Sequence, residues 1–113
     1  MTCLRMNLTM NQFDVYVANL DPTIGSEIKK TRPVVIISPD ELNHNIKTVI
    51  VAPVTSQTHY NIPTRVPIKL KEDSFAVLDQ IRTLDKARLT TYITTLKISE
   101  AETIKSTLIE MFS

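Results

Sequence analysis

Six consecutive residues, Pro33-Val34-Val35-Ile36-Ile37-Ser38, place four β-branched side chains in a row. A continuous run of this kind reads as a β-strand covered on both faces or nearly so, because β-branched side chains suit a pleated surface and no polar position is left for solvent. Any fold for this chain must therefore supply apolar material on both sides of that strand.

The flanking segments supply further strands. Residues 12–19 alternate, with Phe13, Val15 and Val17 on one face and Asp14, Tyr16 and Ala18 on the other. Leu20-Asp21-Pro22-Thr23-Ile24-Gly25 interrupts this period. Gly25 is the only glycine in the chain and suits a tight turn that needs positive φ. Residues 26–31 are polar and read as an exposed loop. After the central run, residues 39–43 suit a turn or a single helical turn.

Residues 47–52 form a third strand, which Pro53 is expected to close, and residues 55–65 a polar loop. Val66, Ile68 and Leu70 alternate with Pro67, Lys69 and Lys71, and the proline points to an edge strand. Residues 75–79 and 81–84 make two more short strands or one bent strand, followed by a helical turn near 85–89. At the C-terminus, Ser99 and Glu102 fit a capping box. Ala101, Ile104, Leu108 and Met111 or Phe112 then recur at helical spacing. Five to seven short strands and one terminal helix predict a mainly β fold, a small β-barrel carrying an amphipathic α-helix.

At 113 residues the chain is one domain long. We expect a single domain over residues 11–113, preceded by a flexible extension over residues 1–10 in which Met6 and Met10 are alternative starts. Cys3 is the only cysteine, so no internal disulfide can form and a reducing, cytoplasmic compartment is expected. No apolar run approaches the roughly 20 residues of a membrane span. The formal net charge is +1, too small to identify a nucleic-acid binder. Residues 1–71 carry eight Lys+Arg against five Asp+Glu, and residues 72–113 carry five against seven. Phosphate binding would have to come from local geometry, for which Lys29, Lys30 and Arg32 are the densest basic cluster.

Most familiar catalytic constellations are excluded. His44 and His59 lack ligating neighbours at metal-site spacing, so no metal is expected. One glycine cannot build a glycine-rich phosphate loop or a nucleophile elbow. Polar groups at strand ends remain. Arg32 lies just before one strand, and Thr55, Ser56 and Gln57 follow the end of another. If those strands pair antiparallel, Arg32 and Thr55 share one rim, where a guanidinium beside a hydroxyl makes a phosphate clamp. Spacing alone favours an ordinary structural role, with Arg32 paired to Asp79 or Glu27 and the hydroxyls of Thr55 and Ser56 satisfying a turn.

Four segments bear on that choice: Asp14-Val15-Tyr16 running on to Asn19-Leu20-Asp21-Pro22-Thr23; Gly25-Ser26-Glu27 with Thr31-Arg32-Pro33-Val34-Val35-Ile36; Pro53-Val54-Thr55-Ser56-Gln57; and Asp79-Gln80-Ile81-Arg82-Thr83-Leu84-Asp85-Lys86-Ala87-Arg88-Leu89. In this order they resemble the MazF/PemK family of toxins of type II toxin-antitoxin systems. The resemblance implies a Src-homology-3-like barrel, a homodimer and a cognate antitoxin. It further implies a metal-independent, cofactor-free endoribonuclease that cuts single-stranded mRNA at a short sequence, leaving 2′,3′-cyclic phosphate and 5′-hydroxyl ends. The family's catalytic arginine and threonine fall on Arg32 and Thr55. Glu27, Lys30, Ser56, Gln57, Asp79 and Gln80 fall along the implied RNA groove, with Ile62 and Thr64 in a loop that reaches bases.

Two departures stand out. Phe13 occupies a place where many members carry glycine. The additional arginine of the PemK branch is missing from Ala76-Val77-Leu78. Two rival functions share the fold. Gyrase-poisoning relatives of the CcdB type resemble one another through a tryptophan-containing tail, which this chain lacks. A catalytically silent antitoxin-binding module would not need both Arg32 and Thr55.

Overall fold

The computed structural model describes residues 10–56 and 62–113. Cys3, Gln57, His59 and Tyr60 lie outside the described residues. The strands are β1 (Asp14–Asn19), β2 (Thr31–Ile36), β3 (Thr48–Thr55), β4 (Arg65–Lys69), β5 (Asp73–Val77), β6 (Arg82–Asp85) and β7 (Leu89–Thr95). A single helical turn, α1 (Asp40–Asn43), precedes β3, and helix α2 (Ile98–Phe112) ends the chain. The mainly β fold with a C-terminal helix is as expected.

All pairings are antiparallel, in the order β4-β5-β3-β2-β1-β7, with β6 also against β3. The path is barrel-like but open among the described pairings, with β4 and β7 at its ends. Pro67 lies in β4, so the missing N–H falls on an edge strand as predicted. One edge of β3 passes from β6 to β5 between Val51 and Val54. Pro53, which has no N–H to give, falls in that gap. It therefore does not close the strand at residue 52, as the sequence suggested, and β3 runs on to Thr55.

The central run behaves as its composition demands. Val34 and Ile36 pack into one apolar cluster with Tyr16, Ala18, Leu20, Val49, Val51, Leu84 and Leu89. Val35 and Ile37 pack into a second cluster with Val15, Ala52, Val54, Val66, Ile68, Leu78 and Ile104. Alternate residues of β2 thus feed opposite cores, which is why the run has no polar position. Met10 is buried in the first cluster, so packing already begins at the last residue of the expected extension.

Three elements differ from the sequence expectation. Strand β7 was not anticipated, because Thr90, Thr91, Tyr92 and Ile93 are all exposed on an edge and lack the alternation of a half-buried strand. Helix α2 begins at Ile98, with Lys97 rather than Ser99 as its cap. Glu100, not Glu102, closes that end: its carboxylate accepts the N–H of Lys97 and also that of Lys69 on β4. The helix therefore starts where Glu100 can reach both backbones. Leu78–Gln80 form a 3-10 turn between β5 and β6, so Asp79 and Gln80 sit on a turn rather than at a strand's end. The predicted apolar face of α2 is correct, with Ile104 fully buried and Ala101, Leu108 and Met111 against the core, while Phe112 is exposed.

Candidate active site

Strand β2 begins at Thr31, two residues before the apolar run, so Arg32 is part of the strand. The β2–β3 register pairs Val34 with Pro53 and Val35 with Ala52. Extending it by two residues places Thr55 opposite Arg32. The two side chains share a cleft of about 400 Å³ with Gly25, Ser26, Glu27, Ile28, Lys29 and Ser56. A second cleft, about 440 Å³, is lined by Glu27, Ile28, Pro53, Asp79, Gln80, Ile81 and Arg82. Glu27 and Ile28 belong to both, so the two clefts flank one wall.

The guanidinium of Arg32 is half-buried and oriented by backbone carbonyls. Its Nε–H donates to Lys29 O at 3.0 Å and Nη1 to Val54 O at 3.4 Å. Two of five N–H groups are engaged in this way among the described residues, and the fork keeps donors for a phosphate. Neither acidic partner considered from sequence binds it. The Glu27 carboxylate accepts the N–H of Ile24 at 2.8 Å, and the Glu27 N–H returns to Ile24 O. Gly25, with φ of 58°, makes that turn.

Asp79 is held by Arg65, through Nε and Nη2, each at 3.3 Å, and by the Thr64 hydroxyl at 2.9 Å. Partial burial works against its charge, but the hydrogen bonds from Arg65 and Thr64 outweigh this and hold its carboxyl below the usual value. Gln80 accepts the N–H of Ile28 through Oε1 at 2.7 Å.

The loop between β1 and β2 is tethered from several sides. Arg82 donates to Leu20 O, and Arg88 donates to Asn19 O and Asp21 O. Asp21 accepts the N–H of Lys30, which has a left-handed φ of 72°.

Of the residues singled out from sequence, the structure brings Arg32, Thr55, Glu27 and Ser56 into one cleft and Asp79 and Gln80 into the adjoining one. Lys30, Ile62 and Thr64 line neither; Lys29 is the lysine at the cleft wall. Sequence reasoning missed Arg65, Arg82 and Arg88 as organising residues. Arg82 and Arg88 stood in the fourth family-like segment, but nothing local marks a carbonyl more than 60 residues away as the target of either. Among the described residues, no group of three His, Cys, Asp or Glu side chains is placed to hold a metal.

The family model described as PemK-like, MazF-like toxin of type II toxin-antitoxin systems matches residues 11–112. An endoribonuclease MazF from Staphylococcus saprophyticus is 47% identical over 100 residues, covering 80% of this chain and 83% of the relative. The crystal structure of MazF from Deinococcus radiodurans superposes with a TM-score of 0.80 at 21% identity, covering 91% of this chain and 96% of the other. A mycobacterial endoribonuclease in complex with its cognate antitoxin superposes with a TM-score of 0.78 at 22% identity, covering 92% and 95%.

Proposed function

The chain belongs to the PemK-like, MazF-like toxins of type II toxin-antitoxin systems, and we propose that it cuts single-stranded mRNA in the cleft between β2 and β3, with Arg32 and Thr55 as its catalytic pair. It is an endoribonuclease toxin. The observation that supports the assignment is the β2–β3 register, which sets a carbonyl-oriented guanidinium opposite a threonine beside a carboxylate, Glu27.

RNA carries its own nucleophile. The 2′-hydroxyl oxygen attacks the adjacent phosphorus, the bond to the 5′-oxygen breaks, and the products are a 2′,3′-cyclic phosphate and a 5′-hydroxyl. The proton lost from the 2′-oxygen is matched by one delivered to the 5′-oxygen. Arg32 stabilises the pentavalent phosphorane through charge-assisted hydrogen bonds. An arginine side chain keeps its proton in proteins and is a poor base, so Glu27 is the group that accepts the first proton. Thr55 holds the scissile phosphate. None of these steps calls for a metal ion.

Splayed bases are read along the groove that continues past Glu27, as is usual for single-stranded RNA. Ser56 stands on one side and Asp79 on the other, with Lys30, Ile62 and Thr64 as the flanking contacts. Tyr92, Ile93, Ile109 and Phe112 are exposed apolar side chains and favour association, both in a homodimer and with a cognate antitoxin. The D. radiodurans relative has been crystallised as a MazE–MazF complex, and a partner of that kind is proposed for this chain. No helix among the described residues is long and apolar enough to cross a membrane, and we place the toxin in the cytoplasm, where its mRNA substrate is found.

The test is Arg32→Ala assayed on single-stranded RNA in EDTA. Cleavage should fall by about 10²–10³-fold, with unchanged circular dichroism and elution volume. Undiminished cleavage removes Arg32 from the mechanism, and dependence of the wild type on a divalent cation removes the metal-free reading.

A further inference from the structure

We infer that Gln80 is a positioning residue for Arg32, acting through the backbone of the β1–β2 loop rather than through a contact with RNA. This rests on the assignment of Arg32 to the reaction.

The chain of contacts is short. Gln80 sits on the 3-10 turn after β5, and its Oε1 accepts the N–H of Ile28 at 2.7 Å, across 52 residues of sequence. Because a backbone N–H can only donate, the oxygen of the amide must face it, and the side chain's one carbonyl is committed to the loop. The next residue, Lys29, presents its carbonyl to Arg32 Nε–H at 3.0 Å. The two-residue segment Ile28–Lys29 is therefore held by Gln80 through the N–H at its start and holds the guanidinium through the carbonyl at its end. The same Ile28, with Glu27, forms the wall common to both clefts.

The remaining tethers act on either side of Ile28 and do not reach it. Arg82 and Arg88 grip the start of the loop at Asn19, Leu20 and Asp21. The Lys30 N–H bond to Asp21 and the Leu20 N–H bond to Lys30 O pin the loop just past Lys29, and the Ile24–Glu27 bonds lie before Ile28. Gln80 instead reaches the far side, beside the guanidinium. Releasing Ile28 leaves the segment anchored only at Lys30, so the Lys29 carbonyl can tilt about that end, and a displacement of about 1 Å in a positioned catalytic group costs up to about a hundredfold in rate.

Two substitutions separate positioning from RNA contact. Gln80→Ala removes the acceptor. Gln80→Glu keeps an oxygen acceptor of the same reach but removes the amide donor and adds a negative charge. Steady-state cleavage of single-stranded RNA by both variants, with hydrogen exchange of the Ile28 amide measured on each, decides the matter. Positioning predicts that Gln80→Ala lowers kcat about ten- to a hundredfold with KM within about threefold, and that the Ile28 amide exchanges faster. It predicts that Gln80→Glu recovers most of the lost kcat and restores amide protection, while KM rises because a new carboxylate faces a polyanion.

Equal loss of kcat in both variants, or a raised KM with unchanged kcat in Gln80→Ala, overturns the inference in favour of a direct amide contact to RNA. An unprotected Ile28 amide in the wild type also overturns it, and leaves the proposed function standing. Absence of RNA cleavage by the wild type is a different result: it overturns the proposed function, and the positioning role falls with it.

Discussion

Two parts of the molecule hold their shape by opposite means. The rim that carries Arg32 and Thr55 is organised by polar bonds to backbone atoms: Gln80 to Ile28, Arg82 to Leu20, Arg88 to Asn19 and Asp21, and Arg32 itself to Lys29 and Val54. The side formed by β4, β5 and α2 is organised by burial, with Ile104, Val66, Ile68 and Ala76 in one apolar cluster and Leu108 and Met111 against it. Hydrogen bonds are directional and individually contribute only about 0.5–1.5 kcal/mol, so they specify where atoms stand more than they stabilise the fold. Apolar burial contributes more per side chain and has little direction. The rim is therefore built for geometry and the helix side for stability, and substitutions in the two should divide between rate and melting temperature.

The sharpest test is Ile104→Ala, which removes a fully buried side chain from the helix side. It should cost about 2–5 kcal/mol of stability, read by denaturant unfolding. Its kcat, measured where the variant is still folded, should match the wild type. A matched fall in kcat would mean that the rim depends on helix packing and would end the division.

Phe13→Gly is a more finely balanced case. Phe13 has φ of 72°, and its ring is buried under Lys105 Nζ, 5.6 Å from the centroid. A left-handed backbone explains why glycine suits this place. Phenylalanine adds ring burial at the expense of strain. Losing the ring costs about 3–5 kcal/mol and relief of the left-handed conformation returns about 1–2 kcal/mol. A net loss of about 2 kcal/mol is expected by thermal unfolding, and a stabilised variant would show that the strain outweighs the packing.

The smallest effect belongs to the rim. Hydrogen bonds from Arg65 and Thr64 depress the Asp79 pKa. A depressed carboxyl binds fewer protons in the folded state, so its contribution is fully present above the ordinary value of 3.8 and is lost as pH falls below it. The pair is partly solvent-exposed, so the effect should stay below about 1 kcal/mol. Asp79→Asn should flatten the acid limb of the stability profile below pH 4 by that amount. An unchanged limb would show that solvent screens the pair completely.

Legibility differed along the same division. The terminal helix, the twice-covered central strand and the edge position of β4 could be read from periodicity and proline placement, because burial imprints a pattern on every residue of an element. Strand β7 could not, since Thr90, Thr91, Tyr92 and Ile93 are exposed in succession after the buried Leu89 and only the β-branched and aromatic content of residues 90–95 hinted at extension. The helix start was misplaced by two residues because Ser99 and Glu102 satisfy the local capping pattern. Glu100 is instead fixed by its reach to Lys69 on another strand.

The meeting of Arg32 and Thr55 is a consequence of antiparallel strand ends, and the family-like segments named the pair before any coordinate did. Sequence alone therefore determined every strand but β7, the two-sided core and which residues are proposed for the reaction, since these follow from local pattern and from the identity of short segments. Only the tertiary structure decided what holds them in place. The partners of Arg32, Asp79 and Gln80 are a carbonyl, an arginine and a peptide N–H supplied by other parts of the chain. Bonds to backbone atoms leave no mark on side-chain spacing, so the scaffold that orients Arg32 became visible only once the chain had folded around it.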